Sequence, residues 1–501
     1  MKKLLRDYTL SILLSFAFLG VLACSSDKET AQETTVKTLT ASTAKLDFES
    51  KENAVDLTIT SEATAWSLAS TANWVKFSQS AGTKGTIIIK ITALENAEKT
   101  ARTAVITLSS NESKSVTIQV SQAAGAVAAG LYPSYNTNPI AADQSGMSST
   151  AVQLAAKIKL GWNIGNTLEA TGGETAWGNP KVTKALIDLV KANGFNAIRI
   201  PCSWNQNLEN ASTAKISTEW LNRVKEVIQY CVDNDMYVLV NIHWDGGWLE
   251  SNITEAKKVE NNAKQKAFWE QIATHLRGFD EHLLFASANE PAVDEAEQMT
   301  VLTSYHQTFI DAVRSTGGKN AYRTLVVQGP TTDIEKTNKW MTVLPTDTAA
   351  NRMMVEVHYY SPWNFGGLTK DETWGKMFYY WGAGFHSTTD TERNATWGEE
   401  ADLEKNFKLM KTQFVDKGIP VLLGEFGAIR RTTLTGDALT LHLASRAYYL
   451  KTVVKTAKAN GLLPFYWDEG SLQNNGFGIF NRTDNTVFDT QALNALKEGL
   501  Q

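Results

Sequence analysis

Eight short apolar runs recur between residues 159 and 467, and most of them end on, or just before, a polar side chain. They are Lys159–Ile164, Ala197–Ile200, Tyr237–His243, Leu283–Ala288, Thr324–Gln328, Met353–His358, Val421–Leu423 and Leu463–Trp467. A continuous apolar run, with no polar alternation, reads as a strand covered on both faces, as in a parallel sheet wrapped by helices. Helical patterns such as Lys181–Asn193, Thr218–Asn234 and Leu441–Asn460 sit between the runs. Eight strand–helix units predict an α/β fold, a TIM (β/α)8 barrel occupying 146–501. A doubly wound open sheet is the alternative. It calls for a glycine-rich phosphate turn after its first strand, and Gly161-Trp-Asn-Ile-Gly165 has neither the spacing nor the residue types.

The polar residues fall where a barrel does chemistry. Arg199 ends the second strand, His243 the third, Asn289 and Glu290 follow the fourth, His358 and Tyr360 close the sixth, and Glu425 and Trp467 close the seventh and eighth. An ionisable group at the end of an apolar strand is costly unless it reaches a polar cleft. Each Glu alone could cap a helix or pair with a core cation; two carboxylates at two strand ends are how a protein splits a glycosidic bond. Alternation along the sixth strand puts Glu356, His358 and Tyr360 on one face, looking inward.

What precedes the barrel obeys another rule. From 38 to 123, short alternating segments rich in Val, Ile and Thr are separated by polar turns, which predicts a small all-β immunoglobulin-like sandwich; 124–145 reads as a linker. At the amino terminus Lys2, Lys3 and Arg6 precede an apolar stretch, Leu10–Leu22, too short to span a membrane comfortably. Val21-Leu22-Ala23-Cys24 closes it and resembles a bacterial lipobox, which implies a signal peptide over 1–23, lipidation of Cys24, a flexible tether over 24–37, and an outer-membrane lipoprotein held by its acyl chains. Cys202 and Cys231 are placed at opposite ends of a barrel unit and are expected to be free. The net charge of −5 offers no basic field for nucleic acid.

The barrel segment resembles glycoside hydrolase family 5, the retaining endo-glucanase family, from about Leu154 to Leu496. The likeness rests on Gly161-Trp-Asn-Ile-Gly-Asn-Thr-Leu168, Ile198-Arg-Ile-Pro201, Asn241-Ile-His-Trp244, Asn289-Glu-Pro291, His358-Tyr-Tyr360, Gly424-Glu-Phe-Gly427 and Trp467. The front segment, through Trp66, Trp74-Val75, Gly85, Arg102 and Val120-Ser-Gln122, resembles a BACON domain. The first resemblance implies that Glu290 is the general acid/base, Glu425 the nucleophile, and Arg199, His243, Asn289, His358, Tyr360 and Trp467 the supporting site. It further implies a neutral β-glucan chain as partner, no cofactor and no metal; a monomer is expected. With Glu425 about 5.5 Å away, Coulomb repulsion at an effective dielectric near 20 is enough to lift Glu290 to about 6 to 6.5, and Arg199 should keep Glu425 at or below about 4.5.

Eight tryptophans, at 177, 204, 244, 248, 363, 374, 381 and 467, lie in or just after strand ends, where flat rings can stack on pyranose faces. Trp244 and Trp363 are the rim candidates, and the loop from Ser361 to Trp397 is the candidate for setting substrate preference. Trp66 and Trp74 read as sandwich core. The functional readings are a retaining endo-β-1,4-glucanase on cellulose-type, mixed-linkage or xyloglucan chains; an endo-β-mannanase of the same fold; a catalytically silent glycan-binding surface lipoprotein; and a metal-dependent barrel hydrolase, for which no His-x-His or His-Glu-x-x-His arrangement is present.

Overall fold

The computed structural model describes residues 36–96, 98, 100–124 and 130–501. The signal segment, Cys24 and most of the tether lie outside the described residues. Among the described residues no helix is long and apolar enough to cross a membrane. The chain divides into two compact units between residues 128 and 129.

The first unit is a two-sheet sandwich. One sheet orders Leu39–Ala41, Asn53–Ser61, Gly85–Ala93 and Val75–Phe77; the other orders Lys45–Phe48, Ser113–Gln122, Arg102–Ser110, Trp66–Ser70 and Ala81–Gly82. Period-two patterning works as expected: along Asn53–Ser61, Leu57, Ile59 and Ser61 are buried and the residues between them are not. Leu57, Ile59, Ile89, Ile91, Ile106, Leu108 and Ile118 form the centre of the core. Trp66 belongs to that core, with its indole N–H on the carbonyl of Thr83 at 3.0 Å. Gly82 is obligatory beneath it, since a Cβ there would sit 2.2 Å from the Trp66 ring. Trp74 is half-buried under the Arg102 guanidinium, 4.5 Å from the ring centre.

The second unit is a closed barrel of eight parallel strands in sequential order. They are β1 (Gly161–Ile164), β2 (Ala197–Ile200), β3 (Tyr237–Asn241), β4 (Leu283–Ala286), β5 (Leu325–Gln328), β6 (Met353–Tyr359), β7 (Val421–Phe426) and β8 (Leu462–Asp468). The lower barrel interior is filled by Ala197, Leu239, Leu284, Ala286, Val326, Met354, Leu422, Leu463 and Phe465. A short helix, Ala151–Lys157, adds Ala151 and Leu154 to the same cluster, and Ile158 joins from its cap. Thr150 starts that helix with a capping box, its hydroxyl accepting from the Gln153 N–H.

Two register shifts set which residues of β7 face the barrel interior. Pairing of β6 with β7 slips between Val357 and His358, and pairing of β7 with β8 slips between Leu423 and Phe426. Leu422 faces the lower interior while Leu423 and Phe426 pack outward against the helices. Strict alternation from Leu422 would send Glu425 outward; the irregularity gives two successive inward residues, Gly424 and Glu425. Residues 130–145, read from sequence as linker, instead dock on the barrel. Tyr132 and Tyr135 pack against its core, the Tyr135 hydroxyl donates to the Thr213 carbonyl at 2.9 Å, and the Glu270 carboxylate accepts from Ser134 and from the backbone of Tyr135 and Asn136. Two tyrosines among small residues supply the apolar anchor that a true linker lacks. Cys202 and Cys231 are buried free thiols.

Candidate active site

Four groups converge on the fully buried Arg199 of β2. Its Nη1 donates to Glu425 Oε1 at 2.7 Å and to Asn163 Oδ1 at 3.0 Å, and its Nη2 donates to Asn289 Oδ1 at 2.7 Å. Its Nε lies 2.8 Å from Glu356 Oε1 but aims its hydrogen elsewhere, so that contact is an ion pair rather than a hydrogen bond. Asn163, from β1, is held in turn by donating to the Gly424 carbonyl at 2.9 Å. Gly424 has no room for a side chain, because a Cβ there would lie 2.1 Å from Glu356 Oε1. Glu356 accepts from Gln328 Nε2 at 2.6 Å, and Gln328 Oε1 accepts from the Ala288 N–H at 2.8 Å, tying β5 to the segment that carries Asn289 and Glu290.

His358 stands between the carboxylates. Its Nδ1 is 2.7 Å from Glu290 Oε1 and 3.8 Å from Glu425 Oε2, and its Nε2 is 3.2 Å from Glu356 Oε1. With a carboxylate oxygen within reach of each ring nitrogen, the charged imidazolium form can donate to both. Burial opposes that charge, but Glu425, Glu290 and Glu356 prevail and raise its pKa to about 9. Burial likewise opposes ionisation of Glu290; the hydrogen bond and charge of His358, helped by Arg199, overrule it and hold Glu290 below the ordinary carboxylate value. Solvent reaches Glu290 from the cleft, its side chain being 40% exposed, whereas that of Glu425 is 8% exposed. Burial lifts Glu425 above its ordinary value, His358 and Arg199 offsetting this only in part while the charge of Glu290 adds to it.

The order of the two glutamates in the free protein is therefore the reverse of the sequence-based expectation. Burial of Glu425, and the charge of His358 sitting closer to Glu290 than to Glu425, outweigh the pair repulsion and the Arg199 contact on which that expectation rested.

The remaining expected residues divide into two groups. Tyr360 donates to Glu425 Oε2 at 2.9 Å, and burial, then the Glu425 charge, keeps its hydroxyl protonated. His243, kept neutral by burial and by Arg199 and His358, lies parallel to Trp467 with ring centres 6.1 Å apart, and its Nδ1 faces Asn241 Nδ2 at 3.2 Å. Trp363 packs edge-on to Tyr360 at 6.2 Å and is 47% exposed; Trp244 is 46% exposed on the loop after β3. Of the other tryptophans, Trp177 and Trp374 are exposed, as is Trp397. Trp204 and Trp381 are fully buried, their indole N–H groups on the carbonyls of Asn241 and Gly398, and serve the loop core.

Sequence reasoning missed Asn163, Gln328 and Glu250 as parts of the site. Asn163 and Gln328 carry the same signal as the rest, a polar residue at the end of an apolar strand. Glu250 lies on a loop and carries none. One oxygen from each of Glu290 and Glu425 and a nitrogen of His358 lie within 4.8 Å of one another. Both ring nitrogens of His358 are already engaged by carboxylate oxygens, so a metal ion at this trio would have to displace one of those contacts. What the arrangement can do is hold one proton and one buried carboxylate on opposite sides of a single bond.

Comparison with known proteins agrees with this chemistry. A family model described as cellulase (glycosyl hydrolase family 5) matches residues 163–473, and a model of an N-terminal putative binding domain, BACON, matches residues 64–123. The chain is 36% identical over 452 residues to a xyloglucan-specific endo-β-1,4-glucanase of Bacteroides ovatus, covering 87% of this chain and 86% of that one. Among solved structures, a Bacteroides ovatus family 5 xyloglucanase in complex with a XXXG heptasaccharide superposes with a TM-score of 0.68 at 34% identity, over 92% of this chain and all of that one. A broad-specificity endoglucanase from Ruminococcus champanellensis with bound cellotriose gives 0.60 at 35% identity, over 70% of this chain and 98% of that one.

Proposed function

The chain belongs to glycoside hydrolase family 5, and from that premise we propose that it is a retaining endo-β-1,4-glucanase acting on xyloglucan. The observation that supports retention is that one carboxylate oxygen of Glu290 and one of Glu425 lie within 4.8 Å of each other. Retention needs carboxyl groups only ~5 to 5.5 Å apart, whereas inversion needs ~6.5 to 9.5 Å so that a water fits between nucleophile and sugar. In the first step Glu425 attacks the anomeric carbon and the bond to the leaving oxygen breaks as Glu290 gives that oxygen a proton. In the second, Glu290 takes a proton from water, the water oxygen attacks the same carbon, and Glu425 leaves.

The residues around the pair divide the work. Arg199 and Tyr360 hold Glu425 in line and stabilise it as it departs. The proton for the leaving group is the one held between His358 and Glu290, at 2.7 Å. A sugar in the cleft draws that proton toward Glu290 as charge develops on the leaving oxygen. Asn289, its carbonyl fixed on Arg199, presents amide hydrogens to the sugar 2-hydroxyl. Trp467, backed by His243, and the exposed Trp244 and Trp363 offer faces for pyranose rings.

Xyloglucan is favoured because the xyloglucan-specific relative is similar over 87% of the chain, not over the barrel alone. Rates on xyloglucan, carboxymethyl cellulose, lichenan, mannan and xylan test this. Xyloglucan should be cleaved fastest, with weaker action on unbranched glucans; mannan cleaved fastest would overturn the reading. The sandwich serves as a spacer, since Trp66 and Trp74 are engaged in its own packing and the Arg102 contact. The lipobox-like Val21-Leu22-Ala23-Cys24 supports an outer-membrane lipoprotein held by acyl chains on Cys24. Cys24→Ser should move the protein from the membrane to the soluble fraction.

A further inference from the structure

Glu250 stands on the loop after β3, and no step of the proposed reaction uses it. Its Oε2 accepts from Asn289 Nδ2 at 3.4 Å and from the backbone N–H of Glu290 at 3.2 Å, and its own carbonyl accepts from the Ala292 N–H at 2.8 Å. One residue of the β3 loop thus meets the segment after β4 at three points, on both sides of the acid. Asn289 is gripped from the other direction by Arg199 at 2.7 Å. An amide with a cation on its oxygen and a carboxyl oxygen on its nitrogen has one orientation. Its second Nδ2 hydrogen is left for a ligand. Burial, with the nearby Glu290 charge adding to it, raises the pKa of Glu250 to about 7. Below that pH the carboxyl is neutral, and Oε2 still accepts.

We propose that Glu250 is a positioning residue for glycoside cleavage: by clamping the Asn289 amide and the Glu290 backbone, it aims the free amide hydrogen at the 2-hydroxyl of the sugar being cleaved. The inference rests on the roles proposed for Asn289 and Glu290. The contact with the 2-hydroxyl strengthens as the oxocarbenium ion forms, so losing its alignment lowers kcat more than it raises KM. Glutamine reproduces the neutral carboxyl and its acceptor oxygen, whereas aspartate retains the charge but falls one methylene short.

The test compares Glu250→Ala, Glu250→Asp, Glu250→Gln and Asn289→Ala on an aryl β-cellobioside and on its analogue lacking the 2-hydroxyl at the reacting sugar. Glu250→Ala and Glu250→Asp should lose about 10- to 100-fold in kcat on the parent, with KM within about 3-fold and little loss on the deoxy analogue. Glu250→Gln should stay within about 3-fold of wild type on both. Equal losses on the two substrates, or a Glu250→Gln as damaged as Glu250→Asp, overturn the inference. If Glu250→Ala fails to fold, the contrast between Asp and Gln decides. Asn289→Ala isolates the premise: if it erases the preference for the hydroxylated substrate while Glu250→Asp leaves that preference intact, only the role of Glu250 falls. If neither variant alters the preference, the role of Asn289 falls as well, and the inference with it.

Discussion

Two layers of the barrel interior, a single alternation step apart on the same strands, have opposite chemistry. Ala197, Leu239, Val326 and Met354 fill the lower layer; two residues further along β2, β3, β5 and β6 stand Arg199, Asn241, Gln328 and Glu356. The lower layer, closed by Ala151, Leu154 and Ile158, is hydrocarbon whose burial contributes about 25 cal/mol per Å2. The upper layer holds two cations and three carboxylates within a few ångströms, an arrangement whose desolvation cost can exceed its Coulomb gain. The difference teaches that the two layers answer to different demands, since paired charges are a poor way to stabilise a core that hydrocarbon could fill. The charges are kept there because glycoside cleavage needs them, and the lower layer stabilises the walls that hold them.

The largest effect expected from this division is catalytic. Glu425→Ala should lower kcat on every substrate by ~10⁴-fold or more, while Glu290→Ala should lose ~10²- to 10⁴-fold on polysaccharide but spare the first step with an activated aryl leaving group. Both variants should melt within a few degrees of wild type. A Glu425→Ala enzyme with near-normal turnover, or a collapse of its Tm, would break the division.

Next comes Gly424→Ala, on the boundary between the layers. Its new methyl would meet Glu356 Oε1 at 2.1 Å, so Glu356 and the adjoining Glu425 must move; misplacement on the order of 1 Å costs ~10²-fold. Activity should fall by about that much with substrate affinity largely retained, measured as kcat and KM. An active Gly424→Ala would mean that the register shift tolerates a side chain.

In the lower layer the effect should reverse in kind. Leu422→Ala removes a fully buried side chain and should cost roughly 2 to 5 kcal/mol of stability, while the folded enzyme retains its specific activity within about two-fold. A large loss of activity at a temperature well below the new Tm would show that the layers are not separable.

The smallest effect is on pH. His358 is lifted from an ordinary 6.5 to about 9, so the ties it makes are intact below 6.5 and are lost as pH rises through about 9. Glu425 lies above 4.5, so the acid limb of kcat/KM begins above that value as the nucleophile gains a proton. His358→Asn leaves the two carboxylates facing each other without the cation, and the alkaline limb should retreat toward about 6 to 6.5, where pair repulsion alone puts the acid. An alkaline limb that does not move would show that His358 does not hold the working proton.

The barrel was legible because the buried strands are mostly apolar runs without regular polar alternation, and the polar residues at or near their ends mark the cleft. Arg199, Glu290, His358, Tyr360 and Glu425 all meet where that rule puts them. The rule fails where backbone geometry rather than composition decides. Nothing in Val421-Leu-Leu-Gly-Glu-Phe426 announces the slip between Leu423 and Phe426 that turns Glu425 inward. Trp204 and Trp381 come after strands just as Trp363 does, yet they turn into the core, since position along the chain does not fix the direction of a ring. Glu250 was invisible because a loop has no period, and the pKa order of the glutamates was inverted because neither the burial of Glu425 nor the charge on His358 can be read from strand-end positions.

The central claim is that Glu290 and Glu425 act from opposite sides of one glycosidic bond with net retention. Proton NMR of the newly formed reducing end, recorded within the first minutes of xyloglucan cleavage and before mutarotation, tests it most directly. The account predicts the β-anomer first, with the α-anomer growing in only at the rate of mutarotation. An initial α-anomer would contradict it, because a water would then have attacked where Glu425 is assigned to form the covalent bond.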